Sequence, residues 1–201
     1  MSWDAKGDAM EDIIEKALKE SVQAKESFIR SHGDALIEVA EKIASAFVHD
    51  RKLLICGNGG SAADAQHIAS EFLNRFVLER PPLPALALTT DTSTITSIGN
   101  DYTFDDIFSK QVKALGLEGD VLLAISTSGE SENILRAVRD AKSQGLYVVA
   151  LTGRDGGKLA PLADTALVVQ SEVTARIQEV HILAAHILCS LVDYILFQRH
   201  A

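Results

Sequence analysis

At 201 residues, 47% hydrophobic and only 5% aromatic, the chain suits one well-buried α/β domain over an aliphatic core, and two compact domains would be a squeeze. A formal net charge of −9, spread along the chain, offers no basic patch to displace counterions, so no nucleic-acid partner is expected. Met1–Glu15 lacks a basic segment leading into an apolar one and no apolar run is read as a membrane span, so the expectation is a cytoplasmic protein with no membrane partner.

Apolar residues at helical spacing predict a helix from Glu11 to about Ile29, through Ile13, Ile14, Ala17, Leu18, Val22 and Phe28. A second helix is predicted from Gly33 to about Val48, and Lys52–Cys56 reads as a short buried strand. Gly57–Ser61 then turns the chain into a helix carrying His67 and Glu71. Arg80-Pro81-Pro82-Leu83-Pro84 breaks the chain before a strand at Ala85–Leu88. Thr92–Ser97 is a short helix ahead of Ile98-Gly99-Asn100-Asp101, and Phe104–Ala114 is another. Asp120–Ile125 reads as the third strand, Glu132–Ser143 as a helix, Leu146–Leu151 as the fourth strand and Thr165–Val169 as the fifth.

Thr174–Phe197 closes the chain as one helix apolar on nearly all sides. A monomer of this size has little room to bury such a helix, so burial between subunits is expected. Cys56 at a strand end and Cys189 inside this helix read as reduced core residues rather than a disulfide framework. Continuous apolar strands alternating with helices predict an α/β fold, a doubly wound five-stranded parallel sheet covered on both faces. No linker divides it: one domain is expected, with its core over about 36–197 and a helical N-terminal extension over about 8–31.

Two loops stand out. Strand, glycine-rich turn and helix start, as at Gly57-Asn58-Gly59-Gly60-Ser61, present backbone N–H groups to a phosphate. Alone, that loop is equally a tight turn supplying positive φ. It lacks the Lys-Ser/Thr of phosphate-loop ATPases and the spaced triple glycine of dinucleotide sites, which favours a small sugar phosphate over a nucleoside triphosphate. Ser126-Thr127-Ser128-Gly129-Glu130-Ser131 repeats the arrangement with four hydroxyls, where ordinary N-capping needs one. In a doubly wound sheet both loops fall at the carboxyl ends of strands, where ligands bind. His67 and Glu71, at i,i+4, share one helix face and offer a base or metal-ligand pair, although either alone also reads as an ordinary helix side chain. His186, among Ala184, Ala185, Ile187 and Leu188, alone reads as a core histidine; Glu179 and His181 read as surface or interface groups.

Several motifs in order now carry a resemblance. Gly57–Ser61, Gln66–Glu71, Gly99-Asn100-Asp101, Gly119–Gly129, Leu151–Gly157 and Arg176-Ile177-Gln178-Glu179 resemble the sugar isomerase (SIS) superfamily, and within it the phosphoheptose isomerases, over about Leu36 to Leu191. The resemblance implies the SIS fold and an isomerase that converts D-sedoheptulose 7-phosphate to D-glycero-D-manno-heptose 7-phosphate, the first step towards nucleotide-activated heptose for bacterial surface polysaccharide. It implies one zinc per subunit at His67, Glu71, Gln178 and His186, with Glu71 and His186 as the acid/base pair. It further implies substrate contacts from Asn58, Gly59, Gly60, Ser61, Glu71, Asn100, Asp101, Ser126, Thr127, Ser128, Ser131 and Gln178. Arg75 is a further candidate contact, equally readable as a surface salt bridge.

Spacing adds a point. Gln178 and His186 stand ~12 Å apart along one regular helix, so both reach one ion only when fully extended towards it; otherwise the ligands come from different subunits. Sites near a subunit interface and a homotetramer are therefore expected, in agreement with the resemblance. One departure is that Ala175 stands where some phosphoheptose isomerases have an aspartate, so that contact is absent or supplied elsewhere, with Asp101 the nearest substitute in kind. The main rival is a non-enzymatic SIS-fold adaptor that binds the bacterial replication initiator, resembled in Asn74-Arg75-Phe76 and Lys110–Gly116. That adaptor lacks Glu and His at the positions of Glu71 and His186, which this chain keeps. A SIS-type sensor would need a DNA-binding segment, for which neither terminus leaves room.

Overall fold

The computed structural model describes residues 4–199, with side chains from Ala9 onward; Met1–Trp3, His200 and Ala201, which the single-domain reading takes in, lie outside the described residues. Helix α1 (Asp4–Val48) leads to β1 (Leu53–Gly57), α2 (Gly60–Leu73), β2 (Ala85–Ala87) and α3 (Thr92–Asp101). A 3-10 turn (Phe104–Asp106) precedes α4 (Ser109–Leu115), β3 (Val121–Ser126), α5 (Glu132–Ser143), β4 (Tyr147–Gly153), β5 (Thr165–Val169) and α6 (Thr174–Phe197). All strand pairs are parallel, in the order β2-β1-β3-β4-β5.

The continuous apolar strands are explained by burial on both faces. Successive side chains alternate: Leu53, Ile55, Val121, Leu123, Val149 and Leu151 face the layer of α1, α2 and α6. Leu54, Cys56, Leu122, Ala124, Val148 and Ala150 face α3, α4 and α5. From β1 the chain runs outward to β2, then returns to β3 on the other side. The β1–α2 and β3–α5 loops therefore lie side by side at the carboxyl end, at the switch point where open α/β sheets take ligands.

Four sequence expectations need correction. The first two predicted helices are one, because a single interior glycine costs only about 1 kcal/mol against Ala and the segment around Gly33 is well anchored. Ser31 Oγ donates back to Ser27 O, Phe28 stacks on His32, and Val168 N–H donates to His32 Nε2, tying the helix to β5. Helix α3, started by Asp91 accepting from Thr94 N, continues through Asn100 and Asp101, past the expected end at Ser97. Phe104–Ala114 is not one helix but a 3-10 turn and then α4.

The fourth correction concerns α6, which is long and apolar enough to cross a membrane by length and composition. Its inward face is that of a core helix, for it carries the buried polar residues His181 and Asp193. His181 is thus neither a surface nor an interface group, as Glu179 at half burial still is: it is wholly buried, and its Nε2–H donates to Thr152 O at 3.2 Å. Burial pushes its imidazole down from 6.5 to about 4. Between those values the unfolded chain binds a proton that the folded one refuses, so stability is fully present above pH 6.5 and is lost as pH falls towards 4. The expected loss is about 3 kcal/mol at pH 4, at about 1.4 kcal/mol per pH unit. Urea midpoints across that range check it, and His181→Gln, which keeps a donor for Thr152, should flatten the acid limb. Both cysteines are free and buried, with their thiols pushed up to about 12 chiefly by burial, as expected of unreactive core residues.

Candidate active site

The two loops expected to meet a phosphate are joined to each other. Asn58 and Asn133 exchange reciprocal amide hydrogen bonds, both 2.9 Å, and Asn133 Oδ1 also accepts from Ile134 N. Asn133 is buried in the first turn of α5. Nothing in its sequence position signals this function except that it opens the helix after a hydroxyl-rich loop. In the β1–α2 loop, Asn58, Gly59 and Gly60 reach the surface while Ser61 is buried, its amide turned back on Asn58 O. A side chain at Gly60 would collide with the Gln178 amide, so that glycine admits Gln178 onto the start of α2.

In the β3–α5 loop, Ser126 Oγ accepts from Gly129 N at 3.2 Å and lies 3.4 Å from Ser131 Oγ. Ser128 Oγ accepts from Glu130 N. Ser131 occupies the N-cap position yet makes no capping bond with its side chain. The hydroxyl excess is therefore not consumed in capping α5, and Thr127 and Ser128 stay half-exposed.

Helices α2 and α6 run parallel and side by side. Gly60 lies against Gln178, His67 against His186, and Arg80, just past α2, against Asp193. His67 Nε2–H donates to Glu71 Oε1 at 3.0 Å. The rings of His67 and His186 meet edge to face with centroids 5.2 Å apart, and Phe76 stacks on His186 at 5.1 Å. His186 Nε2 is buried without a hydrogen-bond partner, which costs free energy unless a ligand completes it. Asp64, one turn before His67 and on the same face, was missed by sequence reasoning, although its i,i+3 spacing from His67 was visible. Its Oδ2 is buried and unpartnered. Burial pushes its carboxyl up from the usual range, an effect partly offset by His67.

The four expected zinc ligands thus divide along the seam: His67, Glu71 and His186 gather together, while Gln178 sits further up over Gly60. Two imidazoles and a carboxylate suit zinc in kind, and the orphaned His186 nitrogen fits a metal-facing role. In this conformation, however, His67 and Glu71 are closed on each other. Among the described residues no three His, Cys, Asp or Glu side chains converge on one metal position.

Other expected contacts lie apart. Asn100 donates to Asp101 on the exposed last turn of α3, and among the described residues no hydrogen bond links either to the seam. Arg75 pairs with Glu79 at 3.3 Å on the surface. Ala175 is exposed in the first turn of α6, while neighbouring Arg176 is drawn onto α1 through Ala17 O and pairs with Glu179 at 2.7 Å. Two clefts of about 420 and 460 Å³ run along α1, sharing Gln23 and Ser27. They contain neither an imidazole nor a glycine loop, in contrast to the α2–α6 seam and the paired loops.

A family model described as the SIS domain matches residues 18–153. The phosphoheptose isomerase of Nitratidesulfovibrio vulgaris strain Hildenborough is 54% identical over 187 residues, 93% of this chain and 89% of its own length. That of Halorhodospira halophila is 53% identical over 187 residues, covering 92% and 94%. Among solved structures, the phosphoheptose isomerase GmhA of Neisseria gonorrhoeae superposes with a TM-score of 0.87 at 47% identity, covering 92% of this chain and 98% of that one. The fold is thus that of a known group, and the chain belongs to the SIS-domain family and, within it, to the phosphoheptose isomerases.

Proposed function

We propose that the chain is an aldose–ketose isomerase that interconverts D-sedoheptulose 7-phosphate and D-glycero-D-manno-heptose 7-phosphate through an enediol. The observation that carries this reading is that His67 joins both Glu71, by a hydrogen bond, and His186, by an edge-to-face ring contact, across the α2–α6 seam, on a sheet whose carboxyl end presents a glycine-rich and a hydroxyl-rich loop linked to each other. Moving a carbonyl between C2 and C1 requires a proton to leave one carbon and another to reach its neighbour. A carboxylate at the carbon and an imidazole at the oxygens perform such transfers at neutral pH. Glu71 takes the carbon-bound proton and returns it to the adjacent carbon, while His186 passes protons between the two oxygens. The Ser126–Ser131 hydroxyls and the amides at Asn58–Gly60 hold the phosphorylated sugar.

His67, Glu71, His186 and an extended Gln178 are the residues that would hold zinc, after the His67–Glu71 pair opens. Zinc there would polarise the carbonyl or orient the hydroxyls. A homotetramer in the cytoplasm is the accompanying reading, and the product would feed nucleotide-activated heptose for surface polysaccharide. Its support is the exposed stripe Met10, Ile13, Ile14 and Leu18 on α1, together with the half-buried apolar side of α6. Such contiguous apolar surface marks an association site.

The test is incubation of the purified protein with sedoheptulose 7-phosphate, following aldose formation before and after chelation. No turnover by the metal-loaded protein, with tight binding to the replication initiator, would replace the isomerase with the adaptor. A second expected result concerns Gln178. Gly60→Ala displaces only the mobile end of that side chain, so the fold should persist. Loss of one substrate hydrogen bond should raise KM by up to about 10-fold. An unchanged KM would remove Gln178 from substrate binding.

A further inference from the structure

The chain from Asn74 to Arg80 doubles back beneath α2, and the side chain of Arg80 returns into the protein. That side chain is 1% exposed and its partner Asp193 is 7% exposed. Arg80 Nε–H donates to Asp193 Oδ1 at 2.9 Å. Its Nη1 donates to the carbonyls of Phe72, Asn74 and Pro81, at 2.7, 3.2 and 3.2 Å, and its Nη2 to that of Glu71 at 2.9 Å. The last carbonyls of a helix lack intrahelical partners, and positive charge is favoured beside them. Arg80 therefore supplies from outside α2 the cap that its C-terminal turn needs, and one of the capped carbonyls belongs to Glu71 itself.

Asp193 stands on α6 about two helical turns beyond His186. One guanidinium thus grips the backbone of the Glu71 residue with one edge and the helix of His186 with another. Apolar packing along the same seam is non-directional and permits small slides between helices. Hydrogen bonds are directed, and this guanidinium ties Asp193 of α6 to the Glu71 and Phe72 carbonyls at the end of α2. A buried ion pair is a poor source of net stability compared with apolar packing, and its best-attested use is to fix register.

We propose that Arg80 and Asp193 are positioning residues for the isomerisation: together they set the spacing of Glu71 and His186 by clamping the end of α2 to α6. The proposal rests on the reading of Glu71 and His186 as the proton-transfer pair. Errors of about 1 Å in such a pair can cost on the order of 10²-fold in rate, so the clamp acts on turnover rather than on substrate affinity.

The test compares Arg80→Lys and Asp193→Asn with a control, Val112→Ala, which opens the other core layer far from the seam. Lysine keeps the charge but lacks the planar fork for several carbonyls; asparagine keeps the shape but not the charge-assisted bond. Expected are folded proteins by circular dichroism, kcat lowered about 10- to 100-fold, and KM for sedoheptulose 7-phosphate within about 3-fold of wild type, because the loops that bind the phosphate are untouched. The control should lose a similar amount of thermal stability and keep its kcat. In a Glu71→Gln background, Arg80→Lys should lower the residual rate no further, since it acts through Glu71.

Wild-type kcat in either folded clamp variant overturns the proposal, as does an equal kcat loss in Val112→Ala or a full further loss in the double variant. If one clamp variant fails to fold, the other decides from the opposite helix. Full turnover by Glu71→Gln alone would instead sink the acid/base reading, an outcome distinguishable from failure of the clamp.

Discussion

Replacing Glu71 by glutamine is expected to leave a folded protein that still binds the phosphosugar but turns it over about 10²- to 10⁴-fold more slowly, the usual contribution of a positioned general base. Glutamine has nearly the same shape, and position 71 is anchored through its backbone carbonyl to Arg80, so the helix end should not move. The amide can still accept from His67, whose Nε2 lies 3.0 Å from the present carboxylate, but it cannot take a proton from carbon. The loops proposed to hold the phosphate lie at the helix starts and should retain affinity within a few-fold, measurable by titration calorimetry on the inactive variant. His186→Gln should behave alike, and the double variant should be little worse than either single one, because the carbon and oxygen proton transfers serve the same enediol and groups that act as a unit fail together. Wild-type turnover in Glu71→Gln would remove Glu71 from the mechanism.

The parts of this site that lie close together in the chain were legible from sequence. The i,i+4 spacing of His67 and Glu71 is a property of any helix, and the boundaries of α5, β5 and α6 follow from the alternation of apolar runs with hydroxyl- and glycine-rich breaks. What was hidden joins distant residues. Asn58 and Asn133 look like two ordinary loop amides, and Arg80, at the head of a proline-rich break, reads as a solvated charge until Asp193 is placed beside it. His181 was misjudged for a different reason: α6 is apolar on almost every side, so its periodicity does not say which side faces the sheet. Only packing against β4 identifies the inward face. Gly33 misled in the opposite sense, since a residue that often ends helices is outweighed here by the anchors at Ser31 and His32 just before it. The pairing of His67 with His186 came from the family resemblance, and the parallel α2–α6 seam supplies its physical basis.

Gly129→Ala should separate binding from chemistry in the reverse direction. Gly129 has φ of 66°, where an L side chain costs roughly 1–2 kcal/mol, and its missing side chain leaves room for the backbone of Gly156. The two loops are bonded there: Leu159 N–H donates to Gly129 O at 3.0 Å, and Lys158 meets Glu130 at 2.6 Å. A methyl group at position 129 meets backbone rather than a mobile side chain, so the β3–α5 loop must lift off the 156–159 turn. Overpacking of this kind costs a further 1–3 kcal/mol or so, and the sum should lower Tm by about 5–15 °C in a chain of this size. Lifting the loop withdraws Ser126, Thr127 and Ser128 from one another, and with them the hydroxyls proposed to hold the phosphate. Glu71 and His186 lie on α2 and α6 and keep their places. The expected kinetic signature is a KM raised at least about 10-fold, equivalent to about 1.4 kcal/mol of lost binding, with kcat at saturating substrate reduced far less. A variant with normal KM and reduced kcat would mean that this loop serves the reacting carbons rather than the phosphate, and the assignment of the two ends of the sugar would have to be reversed.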